Sequence, residues 1–272
     1  MFYVYLCSPF FIFFMLSKGK IKLIKSLNQK KYRSETRFFL AEGNKLVADL
    51  LPFFDCELLV YTESWLSSQP EKVNAKECIL AEQEEIDKAS LLKNPQQVIA
   101  LFRQARPLLP SPKELQEKLS LVLDGIQDPG NLGTIIRLAD WFGIENIFCS
   151  QDTADVYNPK TVQATMGALS RVNIHYVNLA IFLNDQLNTF PIPVYGTFLD
   201  GEDMYRTGLT STGFIVMGNE GNGVSEEIKR LVSHKLYIPN FPAERKTSES
   251  LNVAIATSIV CAEFRRRQIH SI

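Results

Sequence analysis

The sequence predicts an α/β fold organised as two domains, and three observations support this prediction. Short apolar runs of strand length alternate with helix-like stretches along most of the chain. Pro107, Pro110 and Pro112 interrupt this alternation near the middle and discourage regular structure there. The length of 272 residues, of which 46% are hydrophobic and 22% charged, suits two globular domains that need no disulfide or metal to fold.

The first half alternates β-rich and helix-like segments and is predicted to be a small α/β domain. Helical patterns occupy residues 46–51 and 82–92. The predicted strands are 38–41, 58–61, 77–80 and 98–102.

The second half alternates more regularly, and strands that are separated by helices pair in parallel, so a mostly parallel sheet is predicted. The predicted strands are 119–124, 147–150, 172–176, 194–198, 214–217 and 236–238. The predicted helices are 134–142, 159–169, 179–187, 225–232 and 251–267.

Four segments follow from these patterns: an apolar extension at 1–16, an α/β domain at 17–104, a linker at 105–118 and a second domain at 119–272. The apolar extension lacks a basic start and a small-residue cleavage site, and it is shorter than the roughly 18 to 20 residues that span a bilayer. We interpret it as an over-extended reading frame, with Met15 as an alternative start. A peripheral membrane anchor is the other interpretation, and no stable membrane association is expected.

The net charge excludes no class of binding partner, whereas the cysteine and histidine content disfavours a metal site. The 29 basic and 30 acidic residues leave a formal charge of −1, which can still conceal a basic face. Five widely spaced cysteines form no CxxC pair, and three histidines are too few for a histidine-centred metal site or catalytic triad. We therefore predict reduced thiols, a cytoplasmic location and no metal.

A basic segment lies near the amino terminus. Between Lys18 and Arg37 the chain carries eight basic residues against the single acid Glu35. Its apolar residues recur at helical spacing, so a solvated helix covering a core competes evenly with contact to RNA phosphates. The candidate RNA contacts are Lys30, Lys31 and Arg33, with 265–267 as further candidates.

Three segments place glycine, proline, amide and charged residues directly after apolar strands, where ligands bind in open α/β sheets. They are LVLDGIQDPGNLGTIIRLADWFG, GFIVMGNEGNGVSEEIKRLV and LYIPNFPAERKTSESLNVAIATSIVCAEFRRR. Tight turns and helix caps would explain each segment taken alone. As nucleotide-binding motifs the glycines are incomplete, because neither GxGxxG nor GxxxxGK[ST] is present.

Together the three segments resemble the three motifs of the SpoU-type (TrmH-like) RNA ribose 2′-O-methyltransferases, of the SPOUT superfamily. Residues 131–137 match N-x-G-x-I-x-R, residues 218–223 match G-x-E-G-x-G, and residues 238–239 with 250–253 match I-P…S-L-N-V. The third motif is longer than usual between Pro239 and Leu251. The first half is similar, more loosely, to the ribosomal-protein-like substrate-binding domain that many members carry.

The resemblance implies a deep trefoil knot in the carboxyl-terminal part of the chain, with S-adenosylmethionine bound there. Such knots are rare exceptions to the rule of unthreaded connections. The residues expected to contact the cofactor by motif position are Thr197, Leu199, Gly218, Ile238 and Leu251.

The resemblance also assigns catalytic roles. Arg137 is the favoured catalytic residue, either as a literal base or as a guanidinium that holds the neighbouring phosphate. Asn131 is expected to orient the ribose or Arg137, and Glu220 to fix the arginine and the motif loops. Ser250 and Asn252 are expected to complete the hydrogen-bond frame.

The implied function is methyl transfer from S-adenosylmethionine to a ribose 2′-hydroxyl of RNA by a homodimer. The 2′-hydroxyl distinguishes RNA from DNA, and the domain pairing favours ribosomal over transfer RNA. A catalytically silent RNA-binding or ribosome-assembly factor is the alternative, and a nucleotide-dependent Rossmann enzyme is a third possibility that the glycine patterns disfavour.

Overall fold

The computed structural model describes residues 16–69, 73–242 and 250–269. The chain forms two compact units. The first contains the described residues up to Ala105 together with Asp155–Ser170, and the second contains Arg106–Ala154 together with the described residues from Arg171 onward. Of the predicted apolar extension, only Leu16 lies within the described residues, and it is buried in the first unit.

The helices and strands of the first part of the chain are α1 (Lys18–Ser26), α2 (Lys30–Thr36), β1 (Phe38–Glu42), α3 (Asn44–Leu50), β2 (Cys56–Tyr61), α4 (Glu63–Ser67), β3 (Cys78–Leu80), α5 (Gln83–Ala89) and β4 (Val98–Arg103). Those that follow are α6 (Pro112–Gln116), β5 (Leu119–Asp124), α7 (Pro129–Trp141), β6 (Asn146–Cys149), α8 (Pro159–Thr165), a 3-10 helix (Ala168–Ser170), β7 (Asn173–Tyr176), α9 (Leu179–Thr189), β8 (Val194–Asp203), β9 (Gly213–Gly218), α10 (Glu226–Lys229), β10 (His234–Tyr237) and α11 (Val253–Ile269). The predicted strands and helices are confirmed, most of them with shifted ends, and the predicted strand 119–124 coincides with β5. The short helix α4 was not predicted.

The first unit is built on a mixed sheet with the strand order β1-β4-β2-β3. β4 pairs antiparallel with β1 and β2, whereas β2 and β3 are parallel. Phe39 and Phe102 are register partners on this sheet and both are fully buried. Ile24 and Leu27 are also fully buried, which confirms that the basic segment carries an apolar stripe.

Residues 155–170 follow a strand of the second sheet but pack in the first unit. The Tyr157 ring lies 4.9 Å from that of Phe39, and its hydroxyl donates to the Ala105 carbonyl at 2.9 Å. Because an apolar sheet face must be covered, this excursion supplies part of the first unit's core. The spatial division therefore differs from a single division at the linker.

The second unit is an α/β layer structure around a six-stranded sheet of order β10-β8-β9-β5-β6-β7. Every neighbouring pair in this sheet is parallel. The central strand β5 is buried on both faces, which explains its nearly continuous apolar sequence LSLVLD. Phe148, Phe182 and Phe214 pack together beneath it.

The pairing of β8 with β10 is interrupted. Lys235 lies opposite Gly196, but the next residue of β10, Leu236, lies opposite Glu202. Residues 197–201 of β8 therefore have no register partner in β10. At Gly201, the residue before pairing resumes, a Cβ atom would lie 2.6 Å from the carbonyl carbon of Leu236, so only glycine allows the two backbones to approach this closely.

The long helix α11 packs on α7 and closes the second unit.

Burial raises the pKa of the Cys149 thiol and that of the Cys261 thiol, the latter to about 12, so both stay protonated at neutral pH. Across the described ranges, no helix combines the length and apolar character that crossing a bilayer requires.

Candidate active site

The three motif segments leave the same edge of the parallel sheet. The last residues of β5 and β9, Asp124 and Gly218, are register partners, so the loops that follow them start side by side. The third segment follows β10, whose neighbour β8 pairs with β9. This arrangement matches the strand-end position at which open α/β sheets bind ligands.

The first loop ends in a firmly capped helix. The Asp128 carboxylate accepts a hydrogen bond from the Asn131 backbone amide at 2.8 Å, and Pro129 occupies the first helical position. Helix α7 therefore begins five residues earlier than the predicted 134. This early start places Asn131 in the first turn and Arg137 further along the same helix.

Asn219 organises the second loop, a role that the sequence analysis did not assign. Its amide nitrogen donates to the Gly125 carbonyl at 2.7 Å, which ties the second loop to the first. Its oxygen accepts from the backbone amides of Gly221 and Asn222 at 2.8 and 3.0 Å. The signal was present, since asparagine before a glycine-rich stretch favours such side-chain turns.

Gly218 is required by the loop itself. A Cβ atom at this position would lie 2.4 Å from the Gly223 carbonyl carbon and from the Val224 nitrogen, because the loop folds back onto the strand end. Gly223 has a φ of +70°, which glycine adopts at low cost. The glycine pattern of the second motif therefore has a structural cause that is independent of any ligand.

One chain of hydrogen bonds joins the three segments. The Asn131 amide nitrogen donates to a Glu220 carboxylate oxygen at 2.7 Å, and the Asn131 oxygen accepts from the Asn252 amide nitrogen at 3.0 Å. A carboxylate only accepts hydrogen bonds, so Glu220 fixes the orientation of the Asn131 amide and, through it, that of Asn252. The three side chains thus have a single consistent set of donors and acceptors.

Asn252 also begins α11. Its oxygen accepts from the backbone amides of Ala254 and Ile255 at 3.0 and 3.3 Å, so the residue caps the helix while its nitrogen holds Asn131. Asn252 therefore caps α11 and at the same time joins the hydrogen bonds between the motif segments. Ser250 and Leu251, directly before it, are exposed.

Arg137 stands apart from this chain. It is exposed on α7, and no hydrogen bond or ion pair joins it to another residue within the described ranges. Its guanidinium is therefore available to a ligand, and the predicted contact between Glu220 and Arg137 is not formed in the described structure.

The predicted cofactor residues lie on β8 and β9, directly after β10, and just before α11. Thr197 and Leu199 belong to the part of β8 that lacks a partner in β10, and the Thr197 hydroxyl lies 3.9 Å from the Met217 sulfur. Leu199 and Leu251 are 74% and 48% exposed, and Ile238 is half-buried. Exposed apolar side chains beside strand-end backbone groups fit the aromatic base and the polar groups of an adenosine-bearing cofactor.

Comparison with known proteins decides the family. Residues 118–262, more than half of the chain, match the model of the SpoU rRNA Methylase family. The chain belongs to this family. Residues 18–100 of this SpoU protein match the MRM3-like substrate binding domain.

Relatives of known sequence and structure agree with this assignment. The chain is 32% identical over 249 residues to the 23S rRNA (guanosine(2553)-2'-O)-methyltransferase RlmP of Bacillus subtilis, covering 90% of this chain and 96% of that protein. It is similar to a TrmH-family structure from Porphyromonas gingivalis, a candidate RNA methyltransferase, with a TM-score of 0.83, 42% identity and coverage of 93% and 100%. It is also similar to an AdoMet-bound rRNA methyltransferase from Sinorhizobium meliloti, with a TM-score of 0.78, 32% identity and coverage of 93% and 96%. The parallel sheet is consistent with the knotted SpoU topology.

In the basic segment of this SpoU protein, residues 18–37, the three predicted RNA contacts differ in burial. Lys30 and Lys31 are exposed on α2, whereas Arg33 is 2% exposed. The Arg33 guanidinium pairs with the Asp155 carboxylate at 2.6 Å and donates to the Leu27 carbonyl at 2.7 Å. Arg33 is therefore unavailable to RNA phosphate, which corrects its prediction as an RNA contact.

The predicted carboxyl-terminal contacts 265–267 also make internal contacts. Arg265 donates to the Phe142 carbonyl at 2.7 Å, and Arg266 and Arg267 both bind the Glu263 carboxylate. These contacts lower the pKa of Glu263 to about 2. Arg265 and Arg267 fasten α11 to backbone carbonyls outside the helix, whereas Arg266 binds Glu263 of the same helix and its side chain is 57% exposed. Within the described ranges, no group of His, Cys, Asp and Glu side chains could hold a metal ion.

Proposed function

We propose that the protein transfers the methyl group of S-adenosylmethionine to a ribose 2′-hydroxyl of RNA, with ribosomal RNA as the favoured substrate. The observation that carries the proposal is the hydrogen-bonded chain of Glu220, Asn131 and Asn252, which joins the three family motifs at one sheet edge. The bound cofactor supplies a sulfonium methyl group that is open to in-line attack by an oxygen nucleophile.

The polar chain suits the orientation of a ribose. The Asn131 amide uses one N–H on Glu220 and one lone pair for Asn252, so it retains one donor and one acceptor for a hydroxyl group. Because both neighbours hold this amide, it is oriented before the substrate arrives, which is how a site gains rate from alignment. We assign the orientation of the attacking ribose to Asn131.

Arg137 serves the substrate directly. An exposed guanidinium presents a planar fork of N–H donors that matches a phosphate group. We therefore assign Arg137 to hold the phosphate beside the target ribose, where the phosphate or water accepts the hydroxyl proton. The residue acts as a positioning cation rather than as a literal base.

The substrate class rests on two supports. The name of the Bacillus subtilis relative specifies 23S rRNA, and residues 18–100 match a substrate-binding domain. Lys30 and Lys31 offer exposed positive charge in that domain. An RNA-binding or assembly factor without activity is the alternative, and the retained chain at Asn131 argues against it.

The test incubates the protein with methyl-labelled S-adenosylmethionine and RNA that lacks the modification, followed by alkaline digestion. A 2′-O-methyl group removes the hydroxyl that alkali needs for cleavage, so label in alkali-resistant dinucleotides is expected. The variant Arg137→Ala is expected to lose at least about a hundredfold in rate because the phosphate is no longer aligned.

Arg206→Ala is the matched control, since Arg206 is 88% exposed in its side chain and lies outside the three motifs. The control should retain the wild-type rate. Label in ordinary mononucleotides would indicate base methylation and refute the proposed acceptor. Bound RNA and cofactor without any label would favour the silent RNA-binding factor.

We further propose that the protein works as a cytoplasmic homodimer through α7 and α11. Trp141 on α7 is 83% exposed, and Ile255 on α11 is 54% exposed, on helices that pack against each other. Uncovered apolar groups of this size favour an interface. Sedimentation of the wild type should give a dimer, and Ile255→Glu should give a monomer; a wild-type monomer at micromolar concentration would refute the dimer.

A further inference from the structure

The two partners Asn131 and Glu220 are held in place in different ways. Asn131 lies on α7, whose side chains Leu132 and Ile135 are fully buried, so the helix anchors it to the core of the second unit. Glu220 lies in a stretch of exposed residues, 220–223, that contains two glycines. A carboxylate on such a loop orients its partner before substrate arrives only if other groups fix the loop.

Asn219, directly before Glu220, closes the turn that carries this carboxylate. Its backbone exchanges two hydrogen bonds with that of Gly223, each 2.9 Å long. Its side-chain oxygen accepts from the backbone amides of Gly221 and Asn222 at 2.8 and 3.0 Å. The conformation of the loop around Glu220 therefore depends on this one side chain.

The same side chain ties the turn to the first motif loop. Its nitrogen donates to the Gly125 carbonyl at 2.7 Å. Gly125 is buried, and its own amide donates to the Ser150 hydroxyl at 2.9 Å, so the tie ends at a fixed point. A reversed Asn219 amide would set its oxygen against a carbonyl and its N–H groups against two other N–H groups, so its orientation is determined.

We infer that Asn219 is a positioning residue for methyl transfer: by tying the Glu220 turn to the Gly125 carbonyl, it holds the Glu220 carboxylate where that group orients the Asn131 amide. The inference rests on the proposed function, in which Asn131 orients the attacking ribose. The Asn219 oxygen already accepts two hydrogen bonds and its nitrogen is directed at Gly125. Asn219 therefore acts through Glu220 and not through a contact with RNA.

The expected effect is on the rate at saturation rather than on binding. Misplacement of a catalytic group by about 1 Å can cost on the order of a hundredfold in rate. Gly218, the expected cofactor contact beside Asn219, is held by its pairing with Asp124 in the sheet, and Arg137 is held by α7. Binding of S-adenosylmethionine and of RNA should therefore persist. A residue with only a structural role would alter stability and leave the rate of folded enzyme unchanged.

The experiment measures single-turnover methyl transfer at saturating RNA and S-adenosylmethionine, together with both dissociation constants and the melting temperature. In Asn219→Ser the hydroxyl can still accept from a loop amide, but the shorter side chain carries no nitrogen to reach Gly125. In Asn219→Asp both acceptor bonds can form, but at neutral pH an oxygen faces the Gly125 carbonyl where an N–H stood. Both variants thus keep the turn and lose the tie. Each rate should fall about tenfold or more, with dissociation constants within about threefold of wild type.

The matched controls are Asn178→Ser and Asn178→Asp. The Asn178 oxygen caps α9 of the same unit by accepting from the Ile181 amide at 3.1 Å, and serine and aspartate are equally good caps. Both controls should keep the wild-type rate, which shows that neither the added charge nor the shorter side chain is harmful in itself.

Two results would overturn the inference while the proposed function stands. One is an active wild type with a folded Asn219→Ser or Asn219→Asp variant of equal saturating rate. The other is a loss confined to the dissociation constant of S-adenosylmethionine or of RNA, because Asn219 would then act in binding. A wild-type protein that binds both ligands and transfers no methyl group would instead refute the proposed function and the inference with it.

Discussion

Two polar clusters hold this protein's loops, and they differ in burial. In the first unit, Arg33 and Asp155 form an ion pair whose side chains are 3% and 19% exposed. In the second unit, Glu220 and Asn252 are exposed, and Asn131 between them is half-buried. Both clusters use short hydrogen bonds between residues far apart in sequence, yet only the second can reach a ligand.

The difference teaches how charge should be interpreted in this chain. When one member of a buried ion pair is removed, the other charge is left uncompensated. If the removed member is the cation, the carbonyls that it bound also lose their donor, so the substitution lowers the stability of the fold strongly. An exposed amide that loses its partner bonds water instead, so its loss costs the fold little. Burial therefore separates residues that hold the structure from residues that serve the substrate.

The largest effect on stability is expected for Arg33→Met alone. This change leaves the Asp155 carboxylate without its cation and the Leu27 and Asn28 carbonyls without their donor. We expect the free energy of unfolding to fall by about 3 to 5 kcal/mol, as for other broken buried pairs, measured by urea denaturation.

Arg103→Met is the control for this prediction, because Arg103 pairs with Glu57 while its side chain is 49% exposed. Its loss should cost at most about 1 kcal/mol. A loss at Arg33 no larger than that of the control would show that burial does not distinguish the two pairs.

Much of the fold could be predicted from the sequence because strand and helix periods are local. The predicted strand 119–124 coincides with β5, and the alternation of elements was sufficient to predict a parallel sheet. The excursion 155–170 could not be predicted, since packing on the first unit depends on Phe39 and Tyr157, which are distant in sequence. The same limit applies to Arg33, whose partner Asp155 lies 122 residues away.

The candidate site was predictable in its residue types but not in its connections. The motif resemblance selected Asn131, Glu220 and Asn252, and the structure joins them in one chain. It did not select Asn219, whose role lies in three hydrogen bonds that depend on the loop's fold. A sequence pattern identifies which positions are special, whereas the direction of each hydrogen bond requires coordinates.

An intermediate effect is expected for Asn131→Ala. The substitution removes both links of the exposed chain, but water can replace them, so the free energy of unfolding should fall by only about 0.5 to 1.5 kcal/mol. Methyl transfer should fall far more, because Glu220 and Asn252 lose the group that they orient. Asn184→Ala, which removes a 2.8 Å bond to the Ala180 carbonyl, should lower stability alone. Equal losses of activity in both variants would indicate that Asn131 acts through the fold.

The smallest effect on stability is expected for Lys30→Glu/Lys31→Glu. Both side chains are exposed, and the ion pair between Lys31 and Glu35 spans 4.0 Å, so stability should change by less than about 0.5 kcal/mol. RNA affinity should nevertheless fall, and the slope of log affinity against log salt should decrease by about one for each phosphate that is no longer neutralised. Lys88→Glu/Lys93→Glu changes two exposed lysines elsewhere in the same unit by the same charge, and it should leave the slope nearly unchanged. If the two double variants weaken RNA binding equally, net charge rather than the position of Lys30 and Lys31 on α2 governs RNA binding. Burial would then distinguish only which cations stabilise the fold.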